Sequence, residues 1–395
     1  MNSTLPTSTF TSWPLKNQTV FLRADLNVPL INGTIASDFR LQALLPTLNI
    51  LVTKGSKIIL ATHIGRPQAK DLALSTRILI PWFQEHGYSV TFASTLEQAN
   101  ILIKQVPSGT LVLLENLRFW PEEQSPSFEF ASVLKHLADY YINDAFGVAH
   151  RTDTSVTVLA ELYAPDHKSI GLLMQKELEA LSYLKEQPSQ PFLFLVGGGK
   201  IKDKLPLMQA LLPKIATVAL CPALVFTFLK ALGKPVGRSL VDDTLIDQAR
   251  QILQQAHKNN VSVLFPEDYL VTRQQKLEPP YEVISAENFD STMTGISIGP
   301  KTVELYKQAI TKAHTIFLTG ACCITEQPIS CTFFNDLLQA IAQASAYSVI
   351  GGGDSVSAVY KQGLEHTINF CSTGGGATLT YLSSQQLPAL KSMLE

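Results

Sequence analysis

We predict an α/β protein of two doubly wound domains, each built on a parallel sheet, with a hinge between them. Apolar strands, polar loops and helices alternate along the whole chain, and this alternation is typical of parallel sheets covered by helices. In addition, a chain of 395 residues is too long for one ordinary core and suggests two domains of similar size.

The composition limits the class of protein. Hydrophobic residues make up 46% of the chain and charged residues 16%, so large cores can be buried. The net charge of −2 gives no electrostatic reason to expect nucleic acid or a membrane surface as a partner. There is no signal-peptide pattern, no apolar run long enough to cross a bilayer, and no metal-binding spacing among the five cysteines. We therefore expect a cytoplasmic protein with reduced thiols.

In the first half, charged loops follow predicted strands. Strands are predicted at residues 19–23, 57–61, 89–92, 110–114 and 140–143, and helices at 39–54, with Asp38 as its N-cap, at 75–85 and at 127–138. The polar and charged residues just beyond the strand ends are Asp25, Asn27, His63, Arg66, Arg118 and Arg151. The carboxyl ends of parallel strands share one edge, so these cations should converge there, and Arg40 in a first helical turn could join them.

Converging arginines predict a binding site for a small polyanion, because guanidinium groups bind carboxylate and phosphate in a bidentate manner. The alternative is that each arginine forms an unrelated surface salt bridge. His63 and His150 have no His or Cys partner at ligand spacing, so hydrogen bonding is favoured over metal ligation for both.

The second half begins with a predicted long helix at residues 172–186 and a break at 187–190, which is the candidate hinge. Strands are predicted at 192–196, 215–220, 261–265, 295–298, 315–318, 348–350 and 367–371, and helices at 223–232, 242–258 and from 300 to 312. Residues 274–287 are polar and are predicted to be an irregular surface excursion.

Three strands of this half end in a triple glycine, at residues 197–199, 351–353 and 374–376. After the first triplet, Lys200 and Lys204 are predicted to share one helix face. Glycines let a phosphate approach the backbone, and helix N-termini offer free N–H groups, so the pattern favours an extended phosphate chain. Asp354 adds an oxygen ligand for Mg²⁺. The alternative is that the glycines relieve crowding at strand-to-helix turns, and no P-loop or GxGxxG fingerprint is present.

Spaced sequence blocks over nearly the whole chain resemble the phosphoglycerate kinase family. They include RADLNVPL (23–30), HIGRP (63–67), LLENLRF (113–119), NDAFGVAHR (143–151), GGGKIKDK (197–204), GGGDS (351–355) and STGGGATL (372–379). The resemblance implies Rossmann-like domains: residues 1–172 bind 3-phosphoglycerate, 173–190 form a hinge helix and linker, 191–382 bind Mg-nucleotide, and 383–395 fold back on the first domain. It also implies a monomer and reversible, Mg²⁺-dependent phosphoryl transfer from 1,3-bisphosphoglycerate to ADP, giving 3-phosphoglycerate and ATP, by hinge closure.

The resemblance also implies roles for individual residues. The phosphoglycerate ligands would be Asp25, Asn27, Arg40, His63, Arg66, Arg118 and Arg151. The nucleotide ligands would be Gly198, Gly199, Lys204, Glu326 at the ribose, Gly352, Gly353, Asp354 at Mg²⁺, and Ser355. The groups around the transferred phosphoryl would be Arg40, Lys200, Lys204, Gly374, Gly375 and Gly376.

The chain departs from the family pattern mainly on the nucleotide side. Asp153 stands where a second histidine is usual, and altered residues occur at 221–224, 297, 319–323 and 331. The added side-chain bulk is expected to narrow the base pocket. An active kinase with altered base preference is favoured because the residues around the moving phosphate are all present; a non-catalytic phosphoglycerate-binding or regulatory relative is the alternative. A surface adhesion role has no support in the sequence.

Overall fold

The structure is a computed structural model that describes residues 9–325, 327–383 and 385–394. The chain divides into two compact units, Met1–Glu179 with Gln386–Glu395, and Ala180–Gln385. Of the helices in the described part of the chain, none combines the length and the hydropathy needed to cross a membrane.

The secondary-structure elements are numbered in chain order. The first group is β1 (Thr19–Ala24), β2 (Leu30–Ile31), β3 (Thr34–Ile35), α1 (Phe39–Thr53), β4 (Lys57–Ala61), α2 (Ile80–Glu85), β5 (Val90–Ala93), α3 (Leu96–Gln105), β6 (Leu111–Leu114), α4 (Phe128–Lys135), β7 (Tyr140–Asp144), α5 (Val158–Glu161), β8 (Lys168–Ile170) and α6 (Leu172–Glu186). The second group is β9 (Phe192–Val196), α7 (Ile201–Leu211), β10 (Thr217–Leu220), α8 (Leu224–Ala231), α9 (Ile246–Lys258), β11 (Ser262–Leu264), β12 (Asp268–Thr272), β13 (Tyr281–Ser285), β14 (Thr294–Ile298), α10 (Pro300–Lys312), β15 (Thr315–Thr319), α11 (Thr332–Gln343), β16 (Tyr347–Gly351), α12 (Gly353–Lys361), β17 (Phe370–Ser372), α13 (Gly376–Leu382) and α14 (Pro388–Leu394).

The first unit is built on a six-stranded sheet in the order β5-β6-β4-β1-β7-β8. Every neighbouring pair is parallel; Leu22 of β1, for example, lies opposite Leu60 of β4 and Ile142 of β7. Helix α14 belongs to this unit, where Ala389 N–H donates to Ala149 O at 3.2 Å and Lys168 Nζ donates to Ser392 O at 2.9 Å.

The alternation of side chains along the strands produces two cores. Val20 and Leu22 of β1 pack into a cluster with residues of α1 and α2, whereas Phe21 between them packs into a cluster with residues of α3, α4 and α5. Successive strand residues point to opposite faces of a sheet, so each strand contributes to both layers. The sheet is therefore covered by helices on both faces, which is the doubly wound arrangement.

The second unit contains a six-stranded parallel sheet in the order β11-β10-β9-β15-β16-β17. All five residues of β9 are buried, and Phe194 stacks on Phe317 of the neighbouring strand with ring centroids 5.2 Å apart. The three strands that end in triple glycines, β9, β16 and β17, all belong to this sheet. The predicted fold class, α/β with two doubly wound parallel sheets, is confirmed.

The prediction for residues 274–287 is wrong in part. Strand β13 lies within this range and forms an antiparallel three-stranded sheet in the order β13-β12-β14. Its residues are exposed or half-buried, so the strand lacks the apolar alternation by which strands are recognised.

The predicted capping role of Asp38 is also wrong. Asp38 occupies the N-cap position of α1, but its carboxylate makes no capping hydrogen bond and instead accepts from Trp82 Nε1 at 2.9 Å and Gln42 Nε2 at 3.1 Å. The helix predicted from residue 75 is divided, because Thr76–Leu79 is a 3₁₀ helix and α2 begins at Ile80. Pro81 lies in the first turn of α2, a position where its missing N–H costs no helical hydrogen bond.

Candidate active site

The polar and charged loops of the first unit meet at one edge of its sheet. Strands β6, β4, β1 and β7 are consecutive neighbours, so the segments that follow their carboxyl ends lie side by side. These segments carry Arg118 after β6, His63 and Arg66 after β4, Asp25 and Asn27 after β1, and Arg151 after β7. The arrangement is the one expected of a ligand site at the carboxyl edge of a parallel sheet.

A buried ion pair joins two of the predicted residues. Arg40 Nη1 donates to Asp25 Oδ2, and the Asp25 side chain is only 3% exposed. Burial opposes ionisation of this carboxyl, but the Arg40 guanidinium, together with the charges of His63 and Arg23, holds the pKa of Asp25 below its usual value. Asp25 is therefore an anion that fixes the guanidinium of Arg40 at the sheet edge.

Gly147, which the sequence analysis missed, makes room for this pair. A Cβ at position 147 would overlap Asp25 Oδ2 and lie 3.1 Å from Arg40 Nη1. Gly147 belongs to the segment that carries Arg151 after β7, where it lies between the apolar residues Phe146 and Val148. The only signal available in the sequence was a glycine in a loop that follows a strand end.

Two buried groups of this cluster each have a polar atom without a partner in the described part of the chain. His63 Nδ1 and Arg118 Nε make no hydrogen bond to any residue that the structure describes. Burial lowers the pKa of His63 well below its usual value. The guanidinium groups of Arg23 and Arg118 also lower this pKa, whereas the Asp25 carboxylate acts to raise it. His63 is therefore a neutral imidazole at pH 7. Buried polar atoms normally have a partner, so these two atoms are positioned to bind a ligand.

Arg118 is held by the loop after β4. Its Nη1 donates to Gly65 O at 2.6 Å, and its backbone N–H donates to Asn116 Oδ1 at 3.1 Å. The Asn116 amide also donates to Ile64 O at 2.8 Å, and Gly65 N–H donates to Asn27 Oδ1 at 2.8 Å. Asn27 thus contributes by fixing the backbone that carries the neighbouring cations.

Arg66 and Arg151 differ in their surroundings. Arg66 is exposed and forms no hydrogen bond or ion pair within the described part of the chain, so the structure neither joins it to the other cations nor opposes its predicted role. Arg151 is half-buried, and its Nε lies 2.9 Å and 3.0 Å from the two carboxylate oxygens of Asp153. His150 is also half-buried, and its Nδ1 has no partner among the described residues.

The second unit has a cavity of about 560 Å³ at the carboxyl edge of its sheet. This volume is within the range of small-molecule sites, roughly 300–1,000 Å³. The predicted residues that line it are Gly198, Gly199, Lys200, Lys204, Gly352, Gly353, Asp354, Gly375 and Gly376. All three glycine runs therefore border one space.

The two lysines do not share a helix face as predicted. Helix α7 begins at Ile201, and Lys200 is its N-cap residue with φ −83° and ψ 66°. Lys200 is exposed, whereas Lys204 is 6% exposed and its Nζ donates to Gly197 O. The turn formed by the glycines occupies the residues before Ile201, so the helix starts too late to include Lys200.

Lys204 is the buried cation of this cavity. Burial lowers its pKa to about 8, and the ammonium group of Lys200 contributes in the same direction. Gly320 lies against it, because a Cβ at Gly320 would be 2.5 Å from Lys204 Nζ and would overlap Gly197 O. A side chain at position 320 would therefore displace the lysine.

Two other predicted residues, Gly374 and Ser355, do not line the cavity. Gly374 does not line the cavity, and its N–H donates to Ser372 Oγ at 3.2 Å, so this N–H already has a partner. Ser355 is fully buried and does not line the cavity either. The ribose prediction for Glu326 falls outside the residues that the structure describes. Arg238 lines the cavity and was missed, since an isolated arginine between strands carries no pattern.

Asp354 offers a carboxylate in the first turn of α12, at the cavity wall. No group of three His, Cys, Asp or Glu side chains that could hold a metal ion is found in the described residues. Mg²⁺ in phosphate-transfer sites is bound by one or two carboxylates together with substrate phosphates, not by a complete protein cage. Asp354 therefore fits a magnesium ion that arrives with a phosphate ligand.

Only some of the altered residues line the cavity. Cys221 and Cys322 are fully buried and do not line it, whereas Pro222, Ala223, Ala321 and Cys323 do. The buried Ser297 hydroxyl donates to Cys322 O at 3.2 Å, beneath this wall. Cys323 Sγ lies 3.1 Å from Cys331 Sγ, and both thiols are free. The bulk of Cys221 and Cys322 is accommodated in the core, and space for a ligand remains.

The chain is similar in sequence to known proteins. The family model for phosphoglycerate kinase matches residues 10–385. The phosphoglycerate kinase of Dictyoglomus turgidum is 38% identical over 381 residues, which cover 95% of each chain. The chloroplastic phosphoglycerate kinase 1 of Arabidopsis thaliana is 36% identical over 387 residues, covering 96% of this chain and 80% of that protein.

Solved structures of similar proteins show the same architecture. Phosphoglycerate kinase from Pyrococcus horikoshii superposes with a TM-score of 0.87 at 30% identity, covering 98% of both chains. The enzyme from Coxiella burnetii superposes with a TM-score of 0.82 at 30% identity, covering 98% of this chain and 99% of that one. With the family model matched over nearly the whole sequence, the chain belongs to the phosphoglycerate kinase family.

Proposed function

We propose that this chain is an active phosphoglycerate kinase of glycolysis and gluconeogenesis. It would transfer a phosphoryl group reversibly between 1,3-bisphosphoglycerate and ADP, giving 3-phosphoglycerate and ATP. The observation that carries the proposal is the presence of two different groups of cationic side chains at the carboxyl edges of two parallel sheets. One is a cluster of arginines around a neutral histidine, and the other is a glycine-lined cavity with two lysines.

The first unit would bind phosphoglycerate. The ligand-binding residues are Asp25, Asn27, Arg40, His63, Arg66, Arg118 and Arg151. Arg118 Nε and His63 Nδ1 support this assignment, because both are buried atoms that find no partner among the described residues. Guanidinium groups bind phosphate and carboxylate, and both groups are present in 3-phosphoglycerate.

The second unit would bind the nucleotide with Mg²⁺. The backbone would come close to the phosphates at Gly198, Gly199, Gly352 and Gly353, and Lys204 would neutralise their charge. The roles of Ser355 as a nucleotide ligand and of Glu326 at the ribose remain predictions. Asp354 would hold Mg²⁺, which when bound neutralises phosphate charge and bridges phosphate oxygens. The three glycine runs at the helix N-termini support this assignment.

The reaction needs positioning and charge neutralisation more than proton transfer. The carboxylate of 3-phosphoglycerate and the phosphate oxygens of ADP are ionised at pH 7, so neither attacking oxygen requires a general base. The neutral His63 is suited to hydrogen bonding of the substrate. Arg40, Lys200 and Lys204, with N–H groups of Gly375 and Gly376, would surround the moving phosphoryl group and stabilise its charge.

The two substrates would be bound by separate units, so the units must close to bring them together. Closure would also exclude water, which would hydrolyse the acyl phosphate. We place the bending in residues 173–190 and after Gly376, and the tail at 383–395 with the phosphoglycerate domain. We also propose a cytoplasmic monomer, although the name of the Arabidopsis relative shows that location varies within the family.

The cavity wall contains the altered residues Pro222, Ala223, Ala321 and Cys323. The preference of the protein for one nucleotide base over another should therefore be tested. Phosphoglycerate phosphorylation should be measured with ATP, GTP and other nucleoside triphosphates, at saturating Mg²⁺ and again with a chelator. We expect turnover with at least one triphosphate and its loss with the chelator. A protein that binds phosphoglycerate but turns over none of the nucleotides would be a non-catalytic relative.

Replacing Gly147 should mainly affect phosphoglycerate. In Gly147→Ala the new methyl group would overlap Asp25 Oδ2 and move the Asp25–Arg40 pair. Misplacement of a substrate-binding group by about 1 Å can cost up to ~100-fold in rate. We expect the KM for phosphoglycerate to rise at least ~10-fold, with the KM for nucleotide in the same variant as the internal control. Equal changes in both constants would contradict the assignment of this pair to phosphoglycerate.

Nucleotide affinity should fall as the pH rises through about 8, where Lys204 loses its proton. A lysine with a lowered pKa is charged below that pKa and neutral above it, and only the charged form attracts phosphate. The dissociation constant for ADP, measured by calorimetry at fixed Mg²⁺, should rise by up to ~10-fold per pH unit above that value. Lys204→Arg keeps its charge in this range and should remove the dependence. An unchanged slope in Lys204→Arg would assign the titration to another group.

A further inference from the structure

A buried carboxylate lies within the arginine cluster of the first unit. Asp153 is 2% exposed, and both of its carboxylate oxygens accept from Arg151 Nε, at 2.9 Å and 3.0 Å. A carboxylate within a site for a polyanion repels the ligand. The proposed binding of phosphoglycerate therefore does not explain why a carboxylate is buried at this position.

The backbone fixes Asp153 in place. Its carbonyl oxygen accepts from Val156 N–H at 2.9 Å and from Thr157 N–H at 3.0 Å, in the turn that leads into α5. The next residue, Thr154, donates its N–H to Glu123 O at 2.8 Å and its hydroxyl to Glu122 O at 2.6 Å. Backbone hydrogen bonds of Asp153 and Thr154 thus fix the turn that carries the carboxylate. The side chain of Arg151, in contrast, is 32% exposed.

Asp153 also acts on Arg118. Burial and the neighbouring Arg151 guanidinium lower the pKa of Arg118, and Asp153 opposes this shift. The two arginines are therefore close enough to repel each other, and the charges of Asp153 and Asp25 offset this repulsion. Asp153 therefore contributes negative charge to the arginine cluster, and its direct contact is with Arg151.

We propose that Asp153 positions Arg151 and serves as an internal counter-ion that weakens the binding of anionic substrate to the arginine cluster. The bond to Nε fixes the guanidinium and leaves Nη1 and Nη2, which have no partner among the described residues, for the ligand. The negative charge of Asp153 repels the incoming phosphoglycerate, so that the substrate is bound less tightly and released more readily. This inference rests on the proposed function of the cluster.

Asp153→Asn tests the charge at nearly constant shape. One unit charge a few ångströms from the ligand changes affinity by ~10- to 100-fold in a partly buried site. We expect the dissociation constants for 3-phosphoglycerate and for inorganic sulfate, measured by calorimetry, to fall by that factor. Asp153→Ala removes the acceptor as well as the charge and releases Arg151, so its gain in affinity should be smaller than that of Asp153→Asn. Asp166→Asn, an exposed carboxylate in the same unit, is the matched control and should change neither constant.

The outcomes separate this inference from the proposed function. If the unaltered protein does not bind phosphoglycerate, the proposed function fails, and the sulfate titration still tests Asp153. A folded Asp153→Asn variant whose constants for both anions are unchanged or higher would overturn the counter-ion role. Equal affinities of Asp153→Asn and Asp153→Ala would overturn the positioning role. If Asp153→Asn does not fold, as judged by thermal unfolding, Asp153→Ser carries the same expectation of tighter anion binding.

Discussion

Lys204→Ala should lower the rate of phosphoryl transfer at least ~100-fold while phosphoglycerate binding stays nearly unchanged. Lys204 is buried at the cavity wall, and its Nζ donates to Gly197 O. Its burial shields the ammonium group from solvent. Removing one group aimed at the charge that develops in the transition state typically costs about 100- to 1,000-fold in rate. The measurement is kcat in the phosphorylation assay, with calorimetric titration of 3-phosphoglycerate in parallel.

Lys202→Ala is the matched control for this variant. Lys202 lies two residues earlier in the same helix and is exposed, so its removal changes the charge by the same amount without reaching the cavity. We expect its kcat to stay within about twofold of the unaltered protein, since surface charges contribute little. A comparable loss in both variants, or a large loss of phosphoglycerate affinity in Lys204→Ala, would contradict the separation into two sites.

Arg118→Ala should weaken phosphoglycerate binding by roughly 2–4 kcal/mol, as expected for loss of a buried charge-assisted contact. Arg118 is 7% exposed, and its Nε has no partner within the described residues while Nη1 is fixed on Gly65 O at 2.6 Å. The guanidinium is thus held in place with its Nε donor still available. Calorimetric titration of 3-phosphoglycerate measures the loss, and the dissociation constant for ADP should not change.

An arginine away from the cluster provides the comparison. The Arg77 guanidinium lies 4.3 Å from the centroid of the Phe92 ring on the exposed surface of the same unit. Arg77→Ala should leave phosphoglycerate binding unchanged. If Arg118→Ala binds phosphoglycerate as well as Arg77→Ala does, the arginines at the sheet edge do not form one site.

The parallel sheets and the strand ends could be predicted because they depend on strong local signals. The apolar run of β9 is buried over all its residues, and glycines follow strand ends directly whereas the arginines lie several residues beyond them. Strand β13 could not be predicted in this way. It is paired on one side only, and its residues are exposed or half-buried. Glu282 on this strand pairs with Arg273 at the surface, and no apolar alternation results.

Details of the candidate site depend on tertiary contacts that sequence spacing does not contain. The glycine turn places Lys200 before helix α7, and the Ser372 hydroxyl accepts a hydrogen bond from the N–H of Gly374. The space that Gly147 leaves for Asp25 becomes visible only when β1 and β7 are neighbours in the sheet. In each case the residue type was noted or available in the sequence, but its partner comes from a distant segment or from the geometry of a turn.

The most direct test of the central claim is the phosphorylation of 3-phosphoglycerate by a nucleoside triphosphate, followed by reduction of the acyl phosphate product with NADH in a coupled assay. We expect turnover by the unaltered protein with Mg²⁺ and its near-complete loss in Lys204→Ala, which should still bind phosphoglycerate. Failure of the unaltered protein to turn over any triphosphate, although it binds phosphoglycerate, would contradict an active kinase and would identify a phosphoglycerate-binding relative.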